Sequence, residues 1–122
     1  MLSLSPSLSY LLYGPPCDMR KSFDALCGLV RNELGRDPLS GEVFIFLSKR
    51  RTHIKLLCWE GDGFGLYYKR LEKGSFELPA AVSGTEALSI TAARLQLILA
   101  GISLANIKYR PRYQQKTVDP CG

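Results

Sequence analysis

The stretch VFIFLSKRRTHIKLLCWEGDGFGLYYKRL, Val43 to Leu71, decides the fold. It holds three runs of β-branched, aromatic and aliphatic residues, each of strand length, separated by two polar interruptions. Val43 to Ser48 reads as one strand, Lys49-Arg50-Arg51-Thr52 as a hairpin tip, and His53 to Glu60 as the returning strand. Gly61-Asp62-Gly63 offers the positive-φ positions of a tight turn, and Phe64 to Leu71 follows as the third strand. Consecutive hairpins of this kind predict an antiparallel meander.

Upstream, Leu8 to Tyr13 reads as a short strand stopped at Gly14-Pro15-Pro16, where proline removes backbone donors. Asp18 is placed to cap a long helix. In it Met19, Phe23, Leu26, Cys27, Val30 and Leu34 recur at three- and four-residue spacing, and Gly35 is placed to end it. Asp37-Pro38 and Ser40-Gly41 make the loop to the first meander strand.

Downstream, Lys73-Gly74 turns the chain into a short strand, Phe76 to Leu78, which Pro79 stops. Ala80 to Glu86 reads as a loop. Thr91 then caps a short helix through Ala100, with Leu95, Ile98 and Leu99 on its apolar face and Gly101 at its end. The expectation is a single α+β domain over residues 1–107: an antiparallel meander sheet with one long early helix and one short late helix. Residues 108–122 are expected to form a basic C-terminal tail.

The whole chain is 122 residues, 46% hydrophobic and 22% charged, which fits one folded domain with a core of its own. No run approaches the ~20 apolar residues of a membrane span. Met1 to Tyr13 lacks a basic start and is interrupted by Ser5, Pro6, Ser7 and Ser9, so it does not read as a signal peptide and the cytoplasm is expected. Cys17, Cys27, Cys58 and Cys121 form no C-x-x-C pair and His53 is the only histidine. Neither zinc nor disulfides are implied, and the thiols read as reduced packing groups.

Five blocks carry a resemblance: Asp18-Met19-Arg20-Lys21-Ser22-Phe23-Asp24-Ala25-Leu26, Asp37-Pro38-Leu39-Ser40-Gly41, Ile54-Lys55-Leu56-Leu57, Trp59-Glu60-Gly61-Asp62-Gly63-Phe64 and Tyr68-Lys69-Arg70-Leu71-Glu72-Lys73-Gly74. In this order they resemble the accessory protein of the insertion-sequence-66 family, encoded beside the element's transposase. Ser22, where family members often carry Gly, and Cys17, where Thr or Ala is usual, are small departures. The resemblance implies a supporting part in transposition and brings no catalytic residues with it.

The residues themselves point to binding and not to catalysis. The acidic side chains Asp18, Asp24, Asp37, Glu60, Asp62 and Glu72 each have a plainer job in a cap, a turn or a helix face than in a two-metal nuclease site. His53 has no evident nucleophile beside it, and Gly61-Asp62-Gly63 feeds a strand instead of the helix that a phosphate-binding loop needs. No enzyme activity, cofactor or small-molecule substrate is expected.

Sixteen Lys and Arg against eleven Asp and Glu give a net charge of +5, which favours anionic partners. A three-residue loop at Gly61-Asp62-Gly63 sets Lys55 opposite Lys69, Leu57 opposite Tyr67 and Trp59 opposite Gly65. A two-residue loop opposes Lys55 to Arg70. Either register puts two cations side by side, mildly destabilising unless an anion or water lies between them.

The nucleic-acid-binding residues expected on this basis are Arg20, Lys21, Lys49, Arg50, Arg51, Lys55, Trp59, Tyr67, Lys69 and Arg70, with Lys108, Arg110 and Arg112 of the tail as a basic arm. The plain alternative is a solvated face in which long cationic stems cover apolar sheet. DNA is the expected partner, and the element's transposase a further one. A competing expectation is a protein adaptor or homodimerisation module without DNA affinity, because Val43-Phe44-Ile45-Phe46-Leu47 carries more apolar surface than one helix can cover.

Overall fold

The computed structural model describes residues 4–78 and 87–101. The elements run β1 (Tyr10–Tyr13), α1 (Phe23–Asn32), β2 (Val43–Leu47), β3 (His53–Trp59), β4 (Phe64–Arg70), β5 (Ala87–Ile90) and α2 (Ala92–Ala100). One five-stranded sheet has the order β4-β3-β2-β1-β5. The meander β2-β3-β4 is present as the sequence indicates, antiparallel throughout.

The sheet as a whole is mixed, which corrects the purely antiparallel expectation. β1 runs parallel to β2, with Tyr10 opposite Val43 and Leu12 opposite Ile45. Parallel neighbours need a crossover, and α1 supplies it. β5, absent from the sequence reading, pairs antiparallel with the other side of β1, from Tyr10 opposite Ile90 to Tyr13 opposite Ala87. Conversely, Phe76 to Leu78 is not a strand. Phe76 is buried, and its N–H donates to the Arg51 carbonyl at 2.7 Å.

Alternation along the strands sends side chains to two cores. Leu11, Tyr13, Phe44, Phe46 and Leu57 meet Leu26, Cys27 and Val30 of α1. Tyr10, Leu12, Val43, Ile45, Leu47, Ile54 and Leu56 meet Ala92, Leu95 and Ile98 of α2. Each face of the sheet therefore has its own helix. The two-faced apolar character of Val43–Leu47, all five residues of which are buried, is accounted for within the chain.

The helices are not one long and one short: α1 has 10 residues and α2 has 9. Asp18 does not cap α1. Its carboxylate accepts the Arg20 N–H at 2.9 Å and pairs with the Arg20 guanidinium at 2.8 Å, holding residues 18–21 in a local turn that competes with helix. The N-cap is Ser22, whose side chain makes no capping bond. In α2 the reading holds: Thr91 Oγ1 accepts the Arg94 N–H at 3.1 Å, and Gly101 closes the helix at φ 86°, a conformation glycine adopts without strain.

Candidate nucleic-acid interface

Register decides which cations share a face. The β3–β4 hairpin closes through a four-residue loop, 60–63, with the Glu60 N–H donating to the Gly63 carbonyl at 2.8 Å. Compared with a three-residue loop this slips the pairing by one residue, and a one-residue slip moves every side chain to the other face. The pairs are His53 with Arg70, Ile54 with Lys69, Lys55 with Tyr68, Leu57 with Leu66 and Trp59 with Phe64. Neither expected pairing, Lys55 with Lys69 or Lys55 with Arg70, occurs. The slip has a packing cause: it places Phe64 and Leu66 on the α1 side, where they pack against the core that contains Leu57.

Lys55 is therefore not a surface cation. It is 5% exposed, and its Nζ donates to the carbonyls of Met19 and Lys21, both at 2.7 Å. The same ammonium lies 4.6 Å from the ring centroid of Tyr68. A buried charge is tolerated when strong acceptors surround it, and two carbonyls and an aromatic face provide this. The consequence is positional: Lys55 fastens the 18–21 turn onto the sheet. The Cys17 N–H, donating to the Leu47 carbonyl at 2.8 Å, fastens its beginning.

That turn thus lies at the end of the sheet where β2 passes into the hairpin tip. Arg20, with a side chain 91% exposed, and Lys21 are carried at the same end of the sheet as Lys49, Arg50 and Arg51. The tip itself is tightly built. Ser48 Oγ accepts the N–H groups of Thr52 and His53 at 3.2 and 3.1 Å, and the Arg51 N–H donates to the Ser48 carbonyl at 2.9 Å. Arg51 sits at φ 59°, left-handed backbone that a residue with a Cβ rarely adopts. Its carbonyl, taken by Phe76, and its N–H, taken by Ser48, hold it there. Its side chain is left to solvent.

Arg70 ends β4 at the same end and is exposed, with Glu72 as its ion-pair partner at 3.0 Å. His53, opposite Arg70, has its ring 5.9 Å from that of Tyr68, and Tyr68 is 51% exposed. Asp18 is the other carboxylate in the cluster. Hydrogen bonds from the Arg20 side chain and backbone hold its carboxyl down to about 2, so it stays ionised and offsets part of the Arg20 charge.

The remaining expected residues lie elsewhere. Tyr67 and Lys69 face the α2 side: Tyr67 packs against that core, and the Lys69 ammonium donates to the Leu99 carbonyl at 3.4 Å, in the last turn of α2. Trp59 is at the far end of β3, six residues from His53 and so about 20 Å away, with its ring edge-on to Phe64 at 5.0 Å. Lys108, Arg110 and Arg112 lie outside the described residues. Tyr68, 51% exposed, is a member of this surface beyond the residues expected from the sequence. Its signal was the two-residue spacing to Arg70, which puts both on one face of β4.

Asp18, Asp37, Glu60 and Glu72 have structural surroundings. Asp37 accepts the Leu39 N–H at 2.9 Å in its turn, and the Glu60 carboxylate lies over Gly65, where an added Cβ would sit 2.9 Å from it. Among the described residues no group of three or more His, Cys, Asp or Glu is arranged to hold a metal ion. Cys17, Cys27 and Cys58 are free thiols pushed up from their ordinary value chiefly by burial. No helix among the described residues is long and apolar enough to cross a membrane.

A family model described as IS66 Orf2 like protein matches residues 8–109, which takes in the whole sheet and both helices. The chain belongs to the IS66 Orf2-like family. Its relatives include the uncharacterized protein y4jC of Sinorhizobium fredii (strain NBRC 101917 / NGR234), 32% identical over 111 residues, covering 91% of this chain and 93% of the relative. The uncharacterized protein y4hO of the same strain is 36% identical over 85 residues, covering 70% of this chain and 72% of that one. No solved structure matches the chain. The family assigns the protein to the accessory class that accompanies IS66-type insertion sequences. The clamp residue Lys55, its partners Met19, Lys21 and Tyr68, and the tip all fall within the matched span.

Proposed function

We propose that this IS66 Orf2-like protein assists transposition by binding nucleic acid at the hairpin-tip end of its sheet, while a separate transposase carries out the chemistry. The observation that carries the reading is the joining of two cationic segments at one place. Lys49, Arg50 and Arg51 form the tip, and the Lys55 ammonium, through the Met19 and Lys21 carbonyls, fixes the turn that carries Arg20 and Lys21 at the same end of the sheet. Cations gathered on a rigid support neutralise successive phosphates without losing much side-chain order, and such contacts position a protein on a duplex or a strand without reading sequence.

The structure also narrows the residues to test. Lys55 and Lys69 act within the fold, so alanine at either position confounds binding with stability. The informative variant is Lys49→Ala, Arg50→Ala, Arg51→Gly, with glycine chosen at the left-handed position. Fluorescence anisotropy against element-end duplex, random duplex and single strand across a salt series is the test. Binding should weaken with salt, and the variant should lower the slope of log K against log salt by about 0.9 per lost contact on duplex. A folded wild-type chain that binds no nucleic acid at low salt overturns the reading.

A further inference from the structure

On the α1 side of the sheet, at the cationic end, one aromatic ring is turned outward. Tyr68 is 51% exposed although it lies in a strand, directly opposite Lys55 on the edge strand β4. Its ring is not loose. The buried Lys55 ammonium lies 4.6 Å from its centroid and the His53 ring 5.9 Å away, tilted by 35°. One rung along the same face, about 7 Å on, stands Arg70.

A duplex keeps its base faces stacked on one another, whereas an unpaired base has a free π-face. Exposed aromatic rings beside cations are how sequence-tolerant single-strand surfaces are made. We infer that Tyr68 is a stacking platform for an unpaired base, with Arg70 and the hairpin tip receiving the flanking phosphates, so that this surface prefers single-stranded to duplex nucleic acid. The inference rests on the nucleic-acid reading above and names the form of the ligand. Lys55 is a positioning residue for it: the ammonium holds the ring and the Arg20–Lys21 turn together.

The test compares a labelled single strand of about 15 nucleotides with its blunt duplex, using wild type, Tyr68→Leu and Tyr68→Trp, each checked for a native unfolding transition. Tyr68→Leu keeps apolar bulk without a π-face. It should weaken single-strand binding roughly ten-fold while duplex binding stays within about two-fold. Tyr68→Trp, placed in a Trp59→Phe background, should retain single-strand binding and show fluorescence quenched by the bound base. If Tyr68→Leu binds both ligands as wild type does, or weakens both equally, the stacking inference is overturned. If in that case the tip variant still loses binding, the nucleic-acid reading stands without it. A wild type that binds neither ligand overturns both.

Discussion

The Nζ of Lys55 lies 2.7 Å from the carbonyl oxygen of Met19, joining the middle of β3 to a turn 36 residues earlier in the chain. A second bond of the same length to the Lys21 carbonyl makes the contact two-pronged. Replacing Lys55 by methionine keeps the stem and removes the donor, leaving two carbonyls without their partner. Hydrogen bonds to charged groups are worth about 1.5–3 kcal/mol, so Lys55→Met should lower the unfolding free energy by about 2 kcal/mol in urea. An unchanged midpoint would mean that water takes over both carbonyls at no cost.

Arg51 presents the opposite case, a residue whose side chain costs the fold something. At φ 59° its Cβ is strained, and glycine removes the strain while adding entropy to the unfolded chain. Arg51→Gly alone should raise the urea midpoint by an amount worth about 0.5 kcal/mol at unchanged slope. The same substitution should weaken nucleic-acid binding. A gain in stability with a loss in binding would identify the arginine as kept for its charge.

The two helix caps differ in a way that stability measurements can read. Thr91 Oγ1 accepts the Arg94 N–H, whereas Ser22 makes no such bond. Thr91→Ala should therefore cost about 1 kcal/mol and Ser22→Ala no more than about 0.5 kcal/mol. Equal losses would show that Ser22 also caps its helix in solution.

The Asp18 carboxyl, held to about 2 by Arg20, titrates below its ordinary range. A depressed folded-state value means that the contact stabilises the turn above the unfolded value of about 3.9 and is lost as pH falls through about 2. Both side chains are solvent-exposed, so the effect is local. Following the Asp18 carboxyl carbon by NMR should give a midpoint near 2, and Arg20→Gln should move it up toward the ordinary carboxylate value. No movement would assign the depression to the backbone N–H alone.

Local chemistry made much of this protein legible in its sequence. Alternating apolar residues and the interruptions at 49–52 and 61–63 mark β2, β3 and β4, because strand period and turn residues are properties of neighbouring positions. Thr91 and Gly101 mark the ends of α2 for the same reason. The five family blocks, and with them the membership of the IS66 Orf2-like family, are also in the sequence. The cations of the tip were visible as a run.

Tertiary structure alone decided the rest. β1 joins β2 in parallel and β5 on its other side, pairings between segments far apart in the chain that no local pattern encodes. Glu60 belongs to the hairpin loop and not to the strand, a one-residue difference settled by where Phe64 and Leu66 find their core. That slip puts Lys55 and Lys69 on opposite faces and sets Lys55 against Tyr68 and the turn at 18–21. Side-chain charge is fixed by residue type, but whether it meets solvent or a carbonyl depends on register. Register is chosen by the packing of the whole sheet between its two helices.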